Sequence, residues 1–129
     1  MSALYDLLAV GFGGAVGTLL RYVAESAAKG LPSAIWAVAA INVLGAYLVG
    51  FLATLLIERL HTPPPWRLLL TTGILGGFTT FGTLMVQLAT LLRAGDLALA
   101  AALALGEVLL GLVCTVLGAG SARRLPGRG

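Results

Sequence analysis

Residues Gly76 to Thr83 read GGFTTFGT and lie within an apolar stretch, RLLLTTGILGGFTTFGTLMVQLATLL, that runs from Arg67 to Leu92. Adjacent glycines and several threonines are unusual in a hydrophobic helix, because glycine loosens the backbone and threonine adds hydroxyl groups. An opened helix frees backbone carbonyls, which a membrane tolerates only where protein, water or an ion satisfies them. The stretch therefore predicts a helix that is broken near mid-membrane, a feature typical of ion-binding sites in transport proteins.

The composition indicates that the whole chain lies in a membrane. Of its 129 residues, 59% are hydrophobic and only 10% are charged, and the mean hydropathy is +1.02, which excludes an ordinary soluble globule. Four nearly charge-free segments have about the 20 residues that a spanning helix needs. They are Leu4 to Ala24, Ser33 to Ile57, Arg67 to Leu92 and Leu97 to Ala122. The sequence predicts an all-α integral membrane protein with four transmembrane helices in one domain.

The distribution of basic residues predicts the orientation of the chain and excludes a nucleic-acid partner. The net charge is +3, but the basic residues are scattered at the ends of the spans and do not form a nucleic-acid-binding patch. With four spans, both termini and the second loop share one side. That side holds Arg59, Arg67, Arg123, Arg124 and Arg128, and the other holds Lys29 and Arg93, with Arg21 at the boundary. This bias predicts cytoplasmic termini. The first segment is interpreted as a span and not as a cleaved signal peptide.

Polar residues inside spans are the candidates for function, because they are costly in lipid and usually face a partner or a water-filled path. Four stand out: Arg21, Asn42, Gln87 and Glu107. Two have ordinary alternatives, since Arg21 could extend to the lipid headgroups and Asn42 could hydrogen-bond between helices.

The third span also predicts a polar stripe that suits a small anion. At about 100° per residue, one face of the helix gathers Thr72, Thr79, Thr83, Gln87 and Thr90. Hydroxyl and amide donors without a fixed cation fit an anion that exchanges its water shell for hydrogen bonds. Alternatively, the threonines bond back to their own helix.

The segment GGFTTFGT resembles the glycine-glycine-x-threonine-threonine-phenylalanine-serine-threonine-phenylalanine signature of the CrcB/Fluc fluoride channels. GGAVGTLLRY in the first span, INVLGAYLVGF in the second and GLVCTVLG in the fourth are also similar to this family. The resemblance implies a fluoride-selective channel, not an enzyme, that exports fluoride passively across the inner (plasma) membrane and lowers its toxicity. It further implies an antiparallel dual-topology dimer with fluoride pathways between the subunits.

The resemblance also assigns roles to single residues. It implies that Asn42 is a pore-lining donor, that the ring edge of Phe81 meets fluoride, and that Arg21 lies near the vestibule. Thr83 and Thr115 would supply hydroxyl groups to the pathway. A structural Na⁺ at the dimer centre would be held by the main-chain carbonyls of Gly76 and Thr79 from both subunits. An aromatic edge carries the positive part of the ring quadrupole, which gives the role of Phe81 a physical basis.

Five positions depart from the family pattern. Gly82 and Leu84 stand where serine and a second phenylalanine are usual. In the fourth span, Glu107 and Gly111 align with common serines and Leu103 with a common tyrosine. An ionised Glu107 would repel fluoride, whereas a protonated one could donate a hydrogen bond, so Glu107 is a further pathway candidate.

The departures leave several interpretations open. The chain could form a working homodimer, could be one subunit of a heterodimer whose homologous partner supplies the missing phenylalanine, or could have changed its substrate. A small proton-coupled multidrug exporter is the alternative from another class, although those exporters carry their glutamate in the first span. A non-transporting membrane scaffold would leave the centre of the third span unexplained.

Overall fold

The computed structural model of the protein describes residues 2–30 and 34–126, and within these ranges the chain contains helices and no β-strand. Four helical stretches are long and apolar enough to cross a membrane. Ser33, the predicted start of the second span, and Arg128, one of the residues used to orient the chain, lie outside the described residues. The prediction of an all-α protein with four membrane-length helices is confirmed.

The helices follow one another through short connections. Helix α1 is Ser2–Ala28, and α2 is Ala34–Thr54 with a π-helical continuation, Leu55–Arg59. The third stretch contains α3 (Pro64–Leu68), a second π segment (Leu69–Leu75), α4 (Gly76–Phe78) and α5 (Phe81–Arg93). Helix α6, Leu97–Arg124, completes the bundle.

Local chemistry explains where these helices begin and end. Proline is suited to the first turn of a helix, where its missing N–H has no intrahelical role, and α3 begins with Pro64 and Pro65. Between α5 and α6 the chain turns at Gly95, whose φ of 79° is in the left-handed region. The Asp96 carboxylate then caps α6 by accepting from the amide of Leu99 at 3.1 Å.

Two helix contacts organise the bundle: α2 lies along α6, and α1 lies along the second π segment and α4. Glycines permit both close approaches. We call the second contact the glycine seam, formed by Gly13, Gly17, Gly73 and Gly77. A side chain on Gly17 would meet the carbonyl of Ile74, and one on Gly77 would meet the carbonyl of Gly14. Small residues thus let helix backbones touch, which is how helices associate in lipid.

The expectation that Gly76 and Gly77 open the third helix is wrong. Both lie in α4, and Gly76 has helical dihedral angles of −63° and −36°. The residues with extended backbone are Thr79, with ψ of 156°, and Thr80, with φ of −146° and ψ of 119°. Gly77 is required instead for contact with α1, whereas a side chain on Gly76 would meet no atom within 4 Å.

Candidate functional site

The side chain of Asn42 contacts the extended backbone between α4 and α5. Its Oδ1 accepts a hydrogen bond from the amide of Thr80 at 2.8 Å, and its Nδ2 donates to the carbonyl of Thr80 at 3.0 Å. A carboxamide carries an N–H donor and an oxygen acceptor side by side. It can therefore make both hydrogen bonds that a neighbouring peptide group would otherwise make to Thr80. Asn42 therefore satisfies Thr80, which is 8% exposed and could not obtain these bonds from water.

Glu107 on α6 joins the same group. Its Oε2 accepts from Asn42 Nδ2 at 2.8 Å, so both hydrogens of the Asn42 amide are engaged. Its Oε1 is buried without a hydrogen-bond partner among the described residues. Three elements that are distant in the sequence thus meet through one asparagine.

The first turn of α5 adds two hydroxyl groups. Thr80 caps α5, because its Oγ1 accepts from the amide of Thr83 at 3.1 Å, and it also donates to Thr83 Oγ1 at 3.2 Å. We refer to Asn42, Thr80, Thr83 and Glu107 as the polar cluster. Thr80 is the member that the sequence reasoning missed. A threonine directly before an apolar helical stretch is a helix N-cap signal, and that signal could have identified it.

The polar cluster borders an open depression of about 240 Å³. Asn42, Thr80 and Glu107 line it together with residues that are not members of the cluster, which are Thr79, Phe81, Leu84 and Val108. The Phe81 ring is 73% exposed, whereas Leu84 is 6% exposed. The leucine at the position of the second signature phenylalanine is thus buried, and Phe81 is the one aromatic side chain of the depression.

The remaining candidates lie elsewhere or are engaged. Arg21 is half-buried on α1 and does not line the depression. Thr115 donates to the carbonyls of Ala46, at 3.2 Å, and Gly111, at 2.8 Å, so its hydrogen is used at the α2–α6 contact. Arg21 and Thr115 thus lie apart from the other candidates. The structure brings together Asn42, Thr79, Phe81, Thr83 and Glu107.

The continuous threonine stripe predicted for the third span is not present. A rotation of about 100° per residue requires an unbroken α-helix. The second π segment and the extended Thr79 and Thr80 interrupt it. Thr90 bonds back to the carbonyl of Val86 at 2.8 Å, the alternative that the sequence left open. Gln87 remains half-buried on α5, with its Oε1 unpartnered among the described residues.

The fold and the site define a multi-pass membrane protein whose polar groups converge beside two residues of extended backbone, Thr79 and Thr80. Residues 8–119 match the family model described as "CrcB-like protein, Camphor Resistance (CrcB)". The match covers most of the chain, and the protein belongs to the CrcB family.

Similar proteins are named as channels. The chain is 40% identical over 121 residues to the "Fluoride-specific ion channel FluC 1" of Mycolicibacterium paratuberculosis, with 93% of this chain and 92% of the relative covered. It is 40% identical over 113 residues to the FluC channel of Chlorobaculum tepidum, with 84% and 87% covered. It is 41% identical over 114 residues to that of Hydrogenobaculum sp., with 88% and 93% covered. These relatives are ion channels, and the chain is not an enzyme.

Proposed function

We propose that the protein is a fluoride-selective channel that conducts fluoride passively out of the cytoplasm across the inner membrane. The names of its relatives support the substrate. The observation that carries the proposal is the position of Asn42, whose carboxamide bonds both backbone groups of Thr80 beside the exposed ring of Phe81. This arrangement stabilises an interrupted helix in mid-membrane, where an ion pathway needs polar groups.

The extended residues Thr79 and Thr80 act as the break in the third helix. In a continuous helix the carbonyls of Gly76 and Thr79 would accept from the amides of Thr80 and Thr83. Those amides donate instead to Asn42 Oδ1 and Thr80 Oγ1. The carbonyls that the family resemblance assigns to Na⁺ are thereby released from their usual partners.

These carbonyls fit a structural Na⁺, because a hard cation is bound by oxygen ligands such as backbone carbonyls. Gly76 is exposed, and the space beside it is open. We propose that Gly76 and Thr79 face a second subunit there and hold Na⁺ between them. The ion would join the two broken helices.

The fluoride pathway runs past the depression. Phe81 presents its ring to the open side, and an aromatic edge is the electropositive part of the ring. Thr83 contributes a hydroxyl group next to it. Asn42 donates an N–H to the anion once its hydrogen bond to Glu107 is broken. Roles for Arg21 and Thr115 in the pathway remain predictions.

We propose that the functional unit is an antiparallel dual-topology dimer. Many large apolar side chains are exposed on the single chain, including Phe12, Leu109 and Val116, more than an isolated bundle in water would tolerate. Lipid and a second subunit would cover them together. The second subunit is a further copy of this chain or, in the alternative, a homologous subunit.

The deciding experiment is fluoride efflux from liposomes containing this chain expressed alone. We expect fluoride to leave when a potassium ionophore dissipates the membrane potential, and chloride to be retained in matched vesicles. Protein-free liposomes are the control for leakage. Uptake of a lipophilic cation driven by a pH gradient, with no fluoride efflux, would support the exporter instead. Efflux that appears only after co-expression with a homologous subunit would support the heterodimer.

A further inference from the structure

Asn42 uses its two amide hydrogens for different purposes. One belongs to the paired bonds with the backbone of Thr80, which hold the extended segment. The other is bound by Glu107 Oε2 at 2.8 Å and contributes nothing to that pairing. The hydrogen directed at Glu107 is therefore the donor that Asn42 can release without loosening the backbone between α4 and α5.

The acceptor of this hydrogen, Glu107, lies at the wall of the depression. Glu107 lines the depression with Phe81 and Thr80, and its carboxyl oxygen is within hydrogen-bonding distance of the amide. A carboxylate and a small anion compete for the same N–H donors, because both bind as acceptors. Glu107 therefore occupies the N–H donor of Asn42 that a small anion in the depression would need.

The surroundings of Glu107 provide an alternative position for its side chain. Besides the depression, Glu107 borders a separate apolar groove of about 270 Å³ between α2 and α6, near Trp36 and Leu110. Among the described residues only Asn42 hydrogen-bonds its carboxyl group, and Oε1 has no partner. Displacement into the groove breaks one hydrogen bond, to Asn42, for which the incoming anion substitutes as acceptor, and the apolar lining of the groove adds a desolvation cost that opposes the displacement.

We propose that Glu107 competes with the permeating anion for the second hydrogen of Asn42. This competition limits both the affinity of the site for the anion and the rate at which the anion passes. This inference rests on the proposed channel function and adds a residue that sets its rate. Removing the competing acceptor should make the channel faster, although the residue removed is part of the polar cluster.

Two substitutions separate competition from charge. Glu107→Ala removes the acceptor, whereas Glu107→Gln removes the charge and keeps an oxygen that can accept from Asn42. We expect fluoride efflux to rise on the order of tenfold in the alanine variant, the effect of one hydrogen bond to a charged group. The glutamine variant should lie between it and the native protein. Leu105→Ala, on the exposed face of α6, is the control and should match the native protein.

Asn42 is the only asparagine of the chain, so selective ¹⁵N-asparagine labelling gives one side-chain amide to observe by NMR. We expect Glu107→Ala to shift one of its two proton resonances. Added sodium fluoride should then move that resonance at about tenfold lower concentration than in the native protein.

The outcomes distinguish the inference from the function on which it rests. Efflux in Glu107→Gln equal to that in Glu107→Ala would assign the effect to charge and overturn the competition. An Asn42 resonance that responds to fluoride equally in the native and alanine proteins would also overturn it. Absence of efflux in all the proteins, both alone and co-expressed with a homologous subunit, would overturn the channel, while the response of Asn42 to fluoride would still decide whether Glu107 competes for its hydrogen.

Discussion

The glycine seam and the polar cluster both contact the short segment of residues 76–80, but they hold it by different means. At the seam, Gly77 lets α4 touch α1 through main-chain atoms of Gly14 and Thr18. At the cluster, the next few residues leave the helix and are held by hydrogen bonds from α2. Packing against α1 fixes Gly77 in a helical conformation, whereas the hydrogen bonds from Asn42 fix Thr80 in an extended one.

We expect damage to the seam to remove the fold, whereas loss of the bonds between Asn42 and Thr80 in the cluster should remove conduction. A seam contact cannot adapt, because the groups that meet are backbone atoms of two helices. A cluster contact can be lost with the helices still in place, because α1 packs on the second π segment and α2 on α6 through close approaches at glycines.

The largest effect is expected for Gly77→Leu. Its side chain would enter the main chain of α1 at Gly14. Overpacking costs about 1–3 kcal/mol and occasionally more, and we expect the upper end here because a backbone atom cannot move aside. We expect loss of the folded protein, measured as aggregation on size-exclusion chromatography and loss of the thermal transition in detergent.

The neighbouring Gly76→Leu is the matched control for this substitution. It adds the same side chain where no atom lies within 4 Å. The single subunit should keep its helicity by circular dichroism, and only assembly of the proposed dimer should weaken. Similar loss of fold in both variants would contradict the assignment of Gly77 to the seam.

The next effect is expected for Asn42→Ala. It leaves the buried amide and carbonyl of Thr80 without partners, and each unsatisfied group costs about 1–3 kcal/mol. We expect a lower thermal midpoint and a loss of fluoride efflux of at least about tenfold. Thr90→Val removes a hydroxyl that bonds only to its own helix and should change neither quantity. Native efflux from Asn42→Ala would show that the pathway does not need the cluster.

Phe81→Ile tests the depression beside the cluster, and we expect it to leave the fold intact. The ring is 73% exposed, so its replacement should leave the thermal midpoint almost unchanged. We expect fluoride efflux to fall by about tenfold or more, because the aliphatic side chain has no electropositive edge. Phe12→Ile, at a similarly exposed position on α1, controls for the loss of an aromatic surface. Equal efflux in the two variants would remove the ring from the pathway.

The smallest effect is expected for Thr115→Val. The hydroxyl donates to carbonyls of α6 and α2, and its loss should cost about 1 kcal/mol of stability. Efflux should change by less than a factor of about three, since the donor hydrogen is used between helices. A loss of efflux comparable to that of Phe81→Ile would restore Thr115 to the pathway.

The sequence by itself determined the membrane-spanning class and the importance of the segment GGFTTFGT. Hydropathy is a property of windows of about 20 residues, so the four membrane-length helices could be predicted without tertiary contacts. Asn42 and Glu107 could be selected as candidates because polar groups inside spans are costly wherever they point.

Only the tertiary structure decided which backbone leaves the helix and which groups meet. Glycine permits an opening, but the close approach of α1 keeps Gly77 helical, and the carboxamide of Asn42 makes Thr80 the residue that is extended. The contact between Asn42 and Glu107 joins residues 65 positions apart. No local pattern encodes such a contact, because it depends on how closely Gly50 and Gly118 let α2 approach α6.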